Sequence, residues 1–464
     1  MMRKQEIVDL EIQTLAYPND GIGFYGDKKI HVRNTIPGQK LAVRFSKRRR
    51  KIEGHVIEII EKAANEINPK CNKFSLCGGC TYQNITYQDE LKIKETMVLN
   101  LLTQGEITNF EFLGIEGAPE IEGYRNKMEY SFGDSEKDGD LSLGMRKRNS
   151  FYEVVTAPNC NIVDEDYRKI LKAVLDFFAT TDETFYHRTK HTGALRNLII
   201  RKGKRTGEIL INLVTTSSLE VNIVNLVELL NSLSLDGKIV GILHTRNNAL
   251  SDAVICDDFS ILFGRDYFFD TILGLSFKIS AFSFFQTNSL AAEKLYETVR
   301  DFIGIEKNNL IFDLYCGTGT IAQIVSEKAK KVIGIEIVEE AVIAAKENAK
   351  LNHIPNCEFI AGDVLKEVSL ISEIPDLIIL DPPRDGIHPK AIDKIIDFSA
   401  KRIIYVSCKP TSLVRDLKIF IAKGYSIEKI KCHDLFSRTY HVETVVLMSK
   451  NYEFEEDNTV NFFV

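Results

Sequence analysis

Asp313-Leu-Tyr-Cys-Gly-Thr-Gly-Thr320 is the stretch that decides the fold. The apolar run Leu310-Ile311-Phe312 leads into it and a helix-forming stretch follows Thr320, so it reads as a strand-to-helix turn. Gly317 and Gly319 let backbone approach a ligand with no Cβ in the way. The same grammar repeats downstream as KVIGIEI, a helix through VEEAVIAAKENAKLN, then CEFIAGD, LIILDPP and RIIYVSC. Strands alternating with helices in this way predict a doubly wound, Rossmann-like α/β domain over about 276–464. The last two strand candidates, YSIEKIKCHDLF and HVETVVLMSK, lie close enough in sequence to pair antiparallel.

A parallel sheet finished by an antiparallel pair is the pattern of SAM-dependent methyltransferases, and the turn lacks the full G-x-G-x-x-G of NAD-binding folds. Glu336 ends the next strand, where a carboxylate can accept hydrogen bonds from both ribose hydroxyls of a nucleoside cofactor. Asp363 ends the third, where it can meet the adenine amine. One Gly-x-Gly is a weak signal, but three acidic residues at successive strand ends point to a nucleoside cofactor. Asp381-Pro-Pro-Arg384 follows the fourth strand, and its two prolines stiffen a loop that can hold a flat base beside the cofactor. Amino-methyltransferases use the same loop type. Cys408, in YVSCKP at the end of the fifth strand, decides between them as a candidate nucleophile. Lys409 beside it and a helix starting near Pro410 are surroundings expected to lower a thiol pKa. Cys256, Cys316, Cys357 and Cys432 read as buried, inert cysteines.

A chain of 464 residues implies two or three domains. With 44% hydrophobic and 27% charged residues it falls in the soluble globular range, which excludes disordered and collagenous classes. No stretch approaches the roughly 18 apolar residues of a membrane span. MMRKQEIVDLEIQ lacks the apolar core of a secretory signal, so the expected location is cytoplasmic. The net charge of -6 argues against a nucleic-acid partner, but it hides local fields. Arg44–Lys51, RFSKRRRK, has six basic residues and no acid; Tyr186–Arg205 has seven and no acid. Either tract can contact RNA phosphates or be a solvated face. Residues 1–62 alternate short apolar runs with turn signals and predict a small antiparallel, OB-like β-barrel suited to clamping RNA. Residues 63–275 read as a polar connector to about 95, which carries three cysteines, and then a mixed α+β central domain. Its one expected helix is YRKILKAVLDFFATT.

DLYCGTGT, DPPRDG, YVSCKP and HVETVVLM, with FFQTN around Gln286, resemble the RNA (uracil-5-)-methyltransferases over nearly the whole chain. The resemblance implies S-adenosyl-L-methionine as cofactor and methylation of carbon 5 of an RNA uridine, with ribosomal RNA favoured and tRNA the alternative. It implies Cys408 as nucleophile and Glu443 as general base. Gln286, Tyr315, Thr320, Glu336, Asp363 and Asp381, together with Gly317, would contact the cofactor or the target base. Family members often carry Phe where Tyr315 stands or Asn where Thr320 stands. The opening barrel resembles the family's TRAM domain. Cys71-x5-Cys77-Gly-Gly-Cys80 with Cys160 matches its four ligands to a [4Fe-4S] cluster. Spacing alone leaves zinc open, since four thiolates suit either metal. The reading from another class is an RNA-binding iron–sulfur protein with an inactive methyltransferase fold. Neither a membrane nor an obligate protein partner is expected.

Overall fold

The computed structural model describes residues 7–48, 51–251, 254–367 and 370–451. Arg49 and Arg50 of the first basic tract lie outside them.

The N-terminal residues form a curled six-stranded sheet in the order Ile7–Glu11, Lys40–Arg48, Lys51–Glu61, Lys28–Arg33, Asp20–Tyr25 and Thr14–Ala16. Every pairing is antiparallel except Lys28–Arg33 against Lys51–Glu61, so the OB-like barrel is not purely antiparallel. Ile7–Glu11 alternates exposed and buried positions. Its inward Val8 and Leu10 pack with Ile30, Val32, Leu41 and Val43. A Cβ on Gly54 would lie 2.9 Å from Val32 Cγ2, so the strand crossing at the barrel centre needs glycine.

The central region is a seven-stranded sheet ordered Val154–Val155, Leu141–Arg146, Lys127–Asp134, Leu195–Lys202, Glu208–Thr215, Lys238–Arg246 and Asp258–Gly264. The expected helix packs on it as Glu165–Ala179, burying Ile170, Leu171, Val174 and Phe178.

The C-terminal sheet has eight strands, ordered Cys357–Ala361, Ala329–Glu336, Asn308–Leu314, Leu377–Leu380, Arg402–Ser407, Glu443–Lys450, Tyr425–His433 and Glu111–Glu116. The first five are parallel, and Glu443–Lys450 runs antiparallel to both its neighbours. This is the doubly wound sheet with the antiparallel finish that the periodicity predicts, with apolar cores on both faces. Its edge strand, Glu111–Glu116, comes from far upstream and pairs parallel to Tyr425–His433.

The connector expected to reach about 95 ends at Thr86, whose hydroxyl accepts from Asp89 N and caps the helix Tyr87–Gln104. Hydrophobic periodicity misses this helix because Glu90 and Lys94 occupy its buried face. Lys94 Nζ lies 2.8 Å from Glu90 and 2.7 Å from Asp434, and all three side chains are buried. Asp434 opens the loop that leads to Glu443, so this ion triad ties the loop to an upstream helix. Among the described residues no helix is long and apolar enough to cross a membrane.

Candidate active site

The turn after Asn308–Leu314 is built by backbone conformation. Tyr315, Gly317 and Gly319 all have positive φ, at 66°, 52° and 71°. At Gly319 a Cβ would lie 2.6 Å from the Phe359 ring, whereas at Gly317 it would meet nothing within 4 Å. Gly319 thus permits close packing, and Gly317 faces open space that a ligand can enter. Asp313 is fully buried; its Oδ2 accepts from Ala322 N at 2.9 Å, while its Oδ1 has no partner within the protein. Burial, with Asp381 and Glu336 nearby, pushes its carboxyl up to about 8.

Glu336 accepts from Gly317 N at 3.1 Å and from Val338 N at 3.0 Å, which points its carboxylate at the turn. Asp363 accepts from Leu365 N at 2.9 Å, opening the short helix Val364–Glu367. Burial, with Asp363 and then Asp416 nearby, pushes the Tyr315 hydroxyl up to about 12. Thr320 is buried, 3.4 Å from Thr318 between hydroxyls. Asp313, Glu336 and Asp363 thus stand at or just past the carboxyl ends of three neighbouring parallel strands, where open α/β sheets bind ligands.

Cys408, Glu443 and Asp381 meet at the next strand ends. Glu443 is buried, and desolvation with Asp381 alongside pushes its carboxyl up to about 8, opposed by Arg384. Asp381 is pushed up to about 7 by desolvation. Gln286 hydrogen-bonds the buried Tyr296 hydroxyl, whose charged neighbours are Asp381, Glu443 and Asp313, so the FFQTN segment joins the same mouth. Asn126 holds it there by donating to Gln286 O at 3.0 Å.

The expectation that Lys409 and the following helix lower the Cys408 thiol is not met. Burial first, then Glu443 and Asp381, push it up to about 12, with Arg384 the opposing cation. Lys409 points instead toward Asp385, 3.8 Å away. Two carboxyl groups and lost hydration outweigh the helix start at Pro410. Because a raised pKa means less thiolate at a given pH, alkylation of Cys408 by iodoacetamide is expected to rise about tenfold per pH unit from 7 to 10. A plateau below pH 9, read by peptide mass spectrometry, would show an unperturbed thiol.

Sequence reading missed Tyr17. It lies in the barrel's Tyr17-Pro18-Asn19-Asp20 turn, yet its ring meets Tyr440 edge-on at 6.2 Å and its hydroxyl has Cys408, Arg384 and Glu443 as electrostatic neighbours. A turn signal carries no hint of that contact. Five of the seven cations in the second basic tract are engaged within the protein. Arg196 and Arg201 donate to main-chain carbonyls, Lys202 pairs with Asp164 and Asp166, Lys204 with Glu120 and Arg205 with Glu293. These five cations serve internal contacts, Arg196 and Arg201 from buried positions.

Cys80 has Cys160, Cys77 and Cys71 as electrostatic neighbours, and Cys160 has Cys77 and Cys71, so the four thiols face one region. Burial pushes Cys80 up to about 12. Among the described residues no set of three or more His, Cys, Asp or Glu side chains is arranged closely enough to hold a metal ion. The donor chemistry suits a thiolate-bound metal, which would have to displace those protons.

Comparison with known proteins identifies the family and the fold. The family model for tRNA (Uracil-5-)-methyltransferase matches residues 205–451. An uncharacterized RNA methyltransferase of Clostridium acetobutylicum is 52% identical over 97% of this chain and 99% of its own. One of Caldanaerobacter subterraneus subsp. tengcongensis is 49% identical over 97% and 100%. The crystal structure of Pyrococcus abyssi tRNA (uracil-54, C5)-methyltransferase, in complex with S-adenosyl-L-homocysteine, superposes with a TM-score of 0.75 at 24% identity, covering 95% of this chain and all of that one.

Proposed function

This chain belongs to the tRNA (uracil-5-)-methyltransferase family, and from that premise we propose that it methylates carbon 5 of a uridine in ribosomal RNA through a covalent Cys408 adduct resolved by Glu443. The observation that carries this reading is the meeting of the Cys408 thiol with the Glu443 and Asp381 carboxyl groups in one mouth beside the Gly317 cradle.

Carbon 5 of uracil is too weak a nucleophile to take a methyl group directly from a sulfonium. Cys408 overcomes this by adding as thiolate to carbon 6, which makes carbon 5 an enolate carbon able to accept the methyl group. S-adenosyl-L-methionine, when bound, supplies that methyl group. Glu443 then takes the carbon 5 proton, the ring double bond reforms, and the Cys408 sulfur leaves. Asp381 presents its carboxyl to the base edge. Glu336 and Asp363 hold ribose and adenine, while Gln286, Tyr315, Gly317 and Thr320 complete the cradle. The uridine has to leave its stack to reach Cys408. Cys71, Cys77, Cys80 and Cys160 are the residues that would hold a [4Fe-4S] cluster, which would brace the central region; zinc is the alternative.

A tRNA uridine is the second reading, supported by membership of the tRNA (uracil-5-)-methyltransferase family. Mass-spectrometric mapping of 5-methyluridine, separately in ribosomal RNA and tRNA from cells lacking the protein, tests both. Loss of a ribosomal-RNA site supports the proposal, and loss confined to tRNA moves the substrate. No loss from either, with no methyl transfer from labelled S-adenosyl-L-methionine to total RNA, would overturn it.

A further inference from the structure

A cavity of about 530 Å³ opens in the central domain, away from the Gly317 turn, between the strand Lys127–Asp134 and the segment Phe185–Asn197. Phe132, Tyr152, Phe185 and Tyr186 supply aromatic walls, and Lys137, Arg146 and Arg188 supply positive charge. Arg196 lies over the Tyr186 ring at 4.3 Å while donating to main-chain carbonyls, so it sets the plane of that ring. Two acids also line the cavity. Glu153 is engaged by Lys147 at 2.5 Å, and Asp134 accepts from Asp138 N. Tyr152 is 58% exposed at the rim, an arrangement that leaves an aromatic face available for stacking.

Aromatic walls under a cationic rim are the surroundings in which a nucleobase stacks and its phosphate is neutralised. The volume lies in the range of small-ligand sites, about 300–1,000 Å³. Two features connect the cavity to RNA bound at Cys408. The loop that carries Tyr152 also places Arg148 and Asn149 in a neighbouring hollow shared with His31, Arg33 and His55 of the barrel. In addition, Asn126 grips the Gln286 segment at one end of the strand whose other end, Phe132, lines the cavity. Six residues of strand span about 20 Å, a distance that a few nucleotides of an extended chain can cover.

We propose that this cavity is a second nucleotide site, which holds one unpaired nucleotide of the RNA substrate with its base between the aromatic walls and its phosphate against Lys137 and Arg188. The assignment rests on RNA as substrate but not on which uridine reacts.

The test uses full-length protein and a fluorescein-labelled 15-nucleotide oligoadenylate, which has no uridine to engage Cys408. Tyr152→Ala combined with Arg188→Ala is expected to weaken binding about tenfold and to lower the salt slope by about one phosphate contact. Tyr152→Phe should retain wild-type binding. Lys137→Glu, a change at an exposed rim position, should weaken binding similarly and guards against a folding defect in the double variant. Wild-type affinity in both the double variant and Lys137→Glu, or no binding of the probe by the unaltered protein, would overturn the site. Methyl transfer to total RNA, measured on the same preparations, reports separately on the catalytic reading.

Discussion

Glu443→Gln is expected to lower turnover by about 10²–10⁴-fold and to accumulate a methylated RNA–protein adduct, whereas Cys408→Ala is expected to form neither product nor adduct. The two residues act at opposite ends of one cycle, so their losses should differ in kind. Without the thiol, carbon 6 is never attacked, and carbon 5 stays too weak a nucleophile to accept a methyl group. Without the carboxylate, methyl transfer still occurs, but the carbon 5 proton remains and the sulfur cannot leave. Glutamine suits this test because burial pushes Glu443 up to about 8, so the fold already accommodates a neutral side chain there. Denaturing gel electrophoresis with labelled RNA should reveal the adduct as a retarded band that depends on S-adenosyl-L-methionine. Normal turnover by Cys408→Ala would overturn the nucleophile assignment. Normal turnover by Glu443→Gln with no adduct would move the base elsewhere, first to Asp381.

Lys94→Met should be among the most destabilising single substitutions, costing about 3–5 kcal/mol, because it removes the ammonium shared by buried Glu90 and Asp434 and leaves only Arg438, 3.6 Å from Glu90, to offset them. Lys94 also donates to Phe436 O, and Glu90 accepts from Arg438 N at 2.7 Å. Tyr87 donates to Asp434 at 2.7 Å. The helix Tyr87–Gln104 thus holds the loop 434–442 from several sides, and that loop delivers Glu443. A urea melt of the variant should shift its midpoint accordingly, and the fraction that remains folded should methylate RNA slowly through a misplaced Glu443. Combining Glu90→Gln with Lys94→Met should recover part of the loss, since one buried charge is then removed with its partner. A shift under about 1 kcal/mol would mean that hydration reaches the triad.

Short-range physics made much of this protein legible in its amino-acid order. The order of strands and helices from Leu310 to Lys450 follows from periodicity that any window of a dozen residues displays. The turn at Gly317 and Gly319, the acids at successive strand ends and the cysteine at the end of YVSCKP lie within a few residues of the strand that aims them. The barrel was legible for the same reason, through the alternation in Ile7–Glu11 and its neighbours.

Other features arise only when distant segments come together. The eighth strand of the catalytic sheet comes from Glu111–Glu116, a pairing across more than 300 residues that leaves no local trace. The helix at Tyr87–Gln104 hides its role because its buried face is charged, and Glu90 and Lys94 become compatible with burial only once Asp434 arrives. Arg196, Arg201, Lys202 and Arg205 of the tract Tyr186–Arg205 look available to phosphate until their acceptors, distant carbonyls and carboxylates, are in place. Cys408 has an electropositive neighbour in sequence but two carboxyl neighbours in space. In each case the energy depends on which groups share a low-dielectric interior, and chain order does not encode that until the fold has closed.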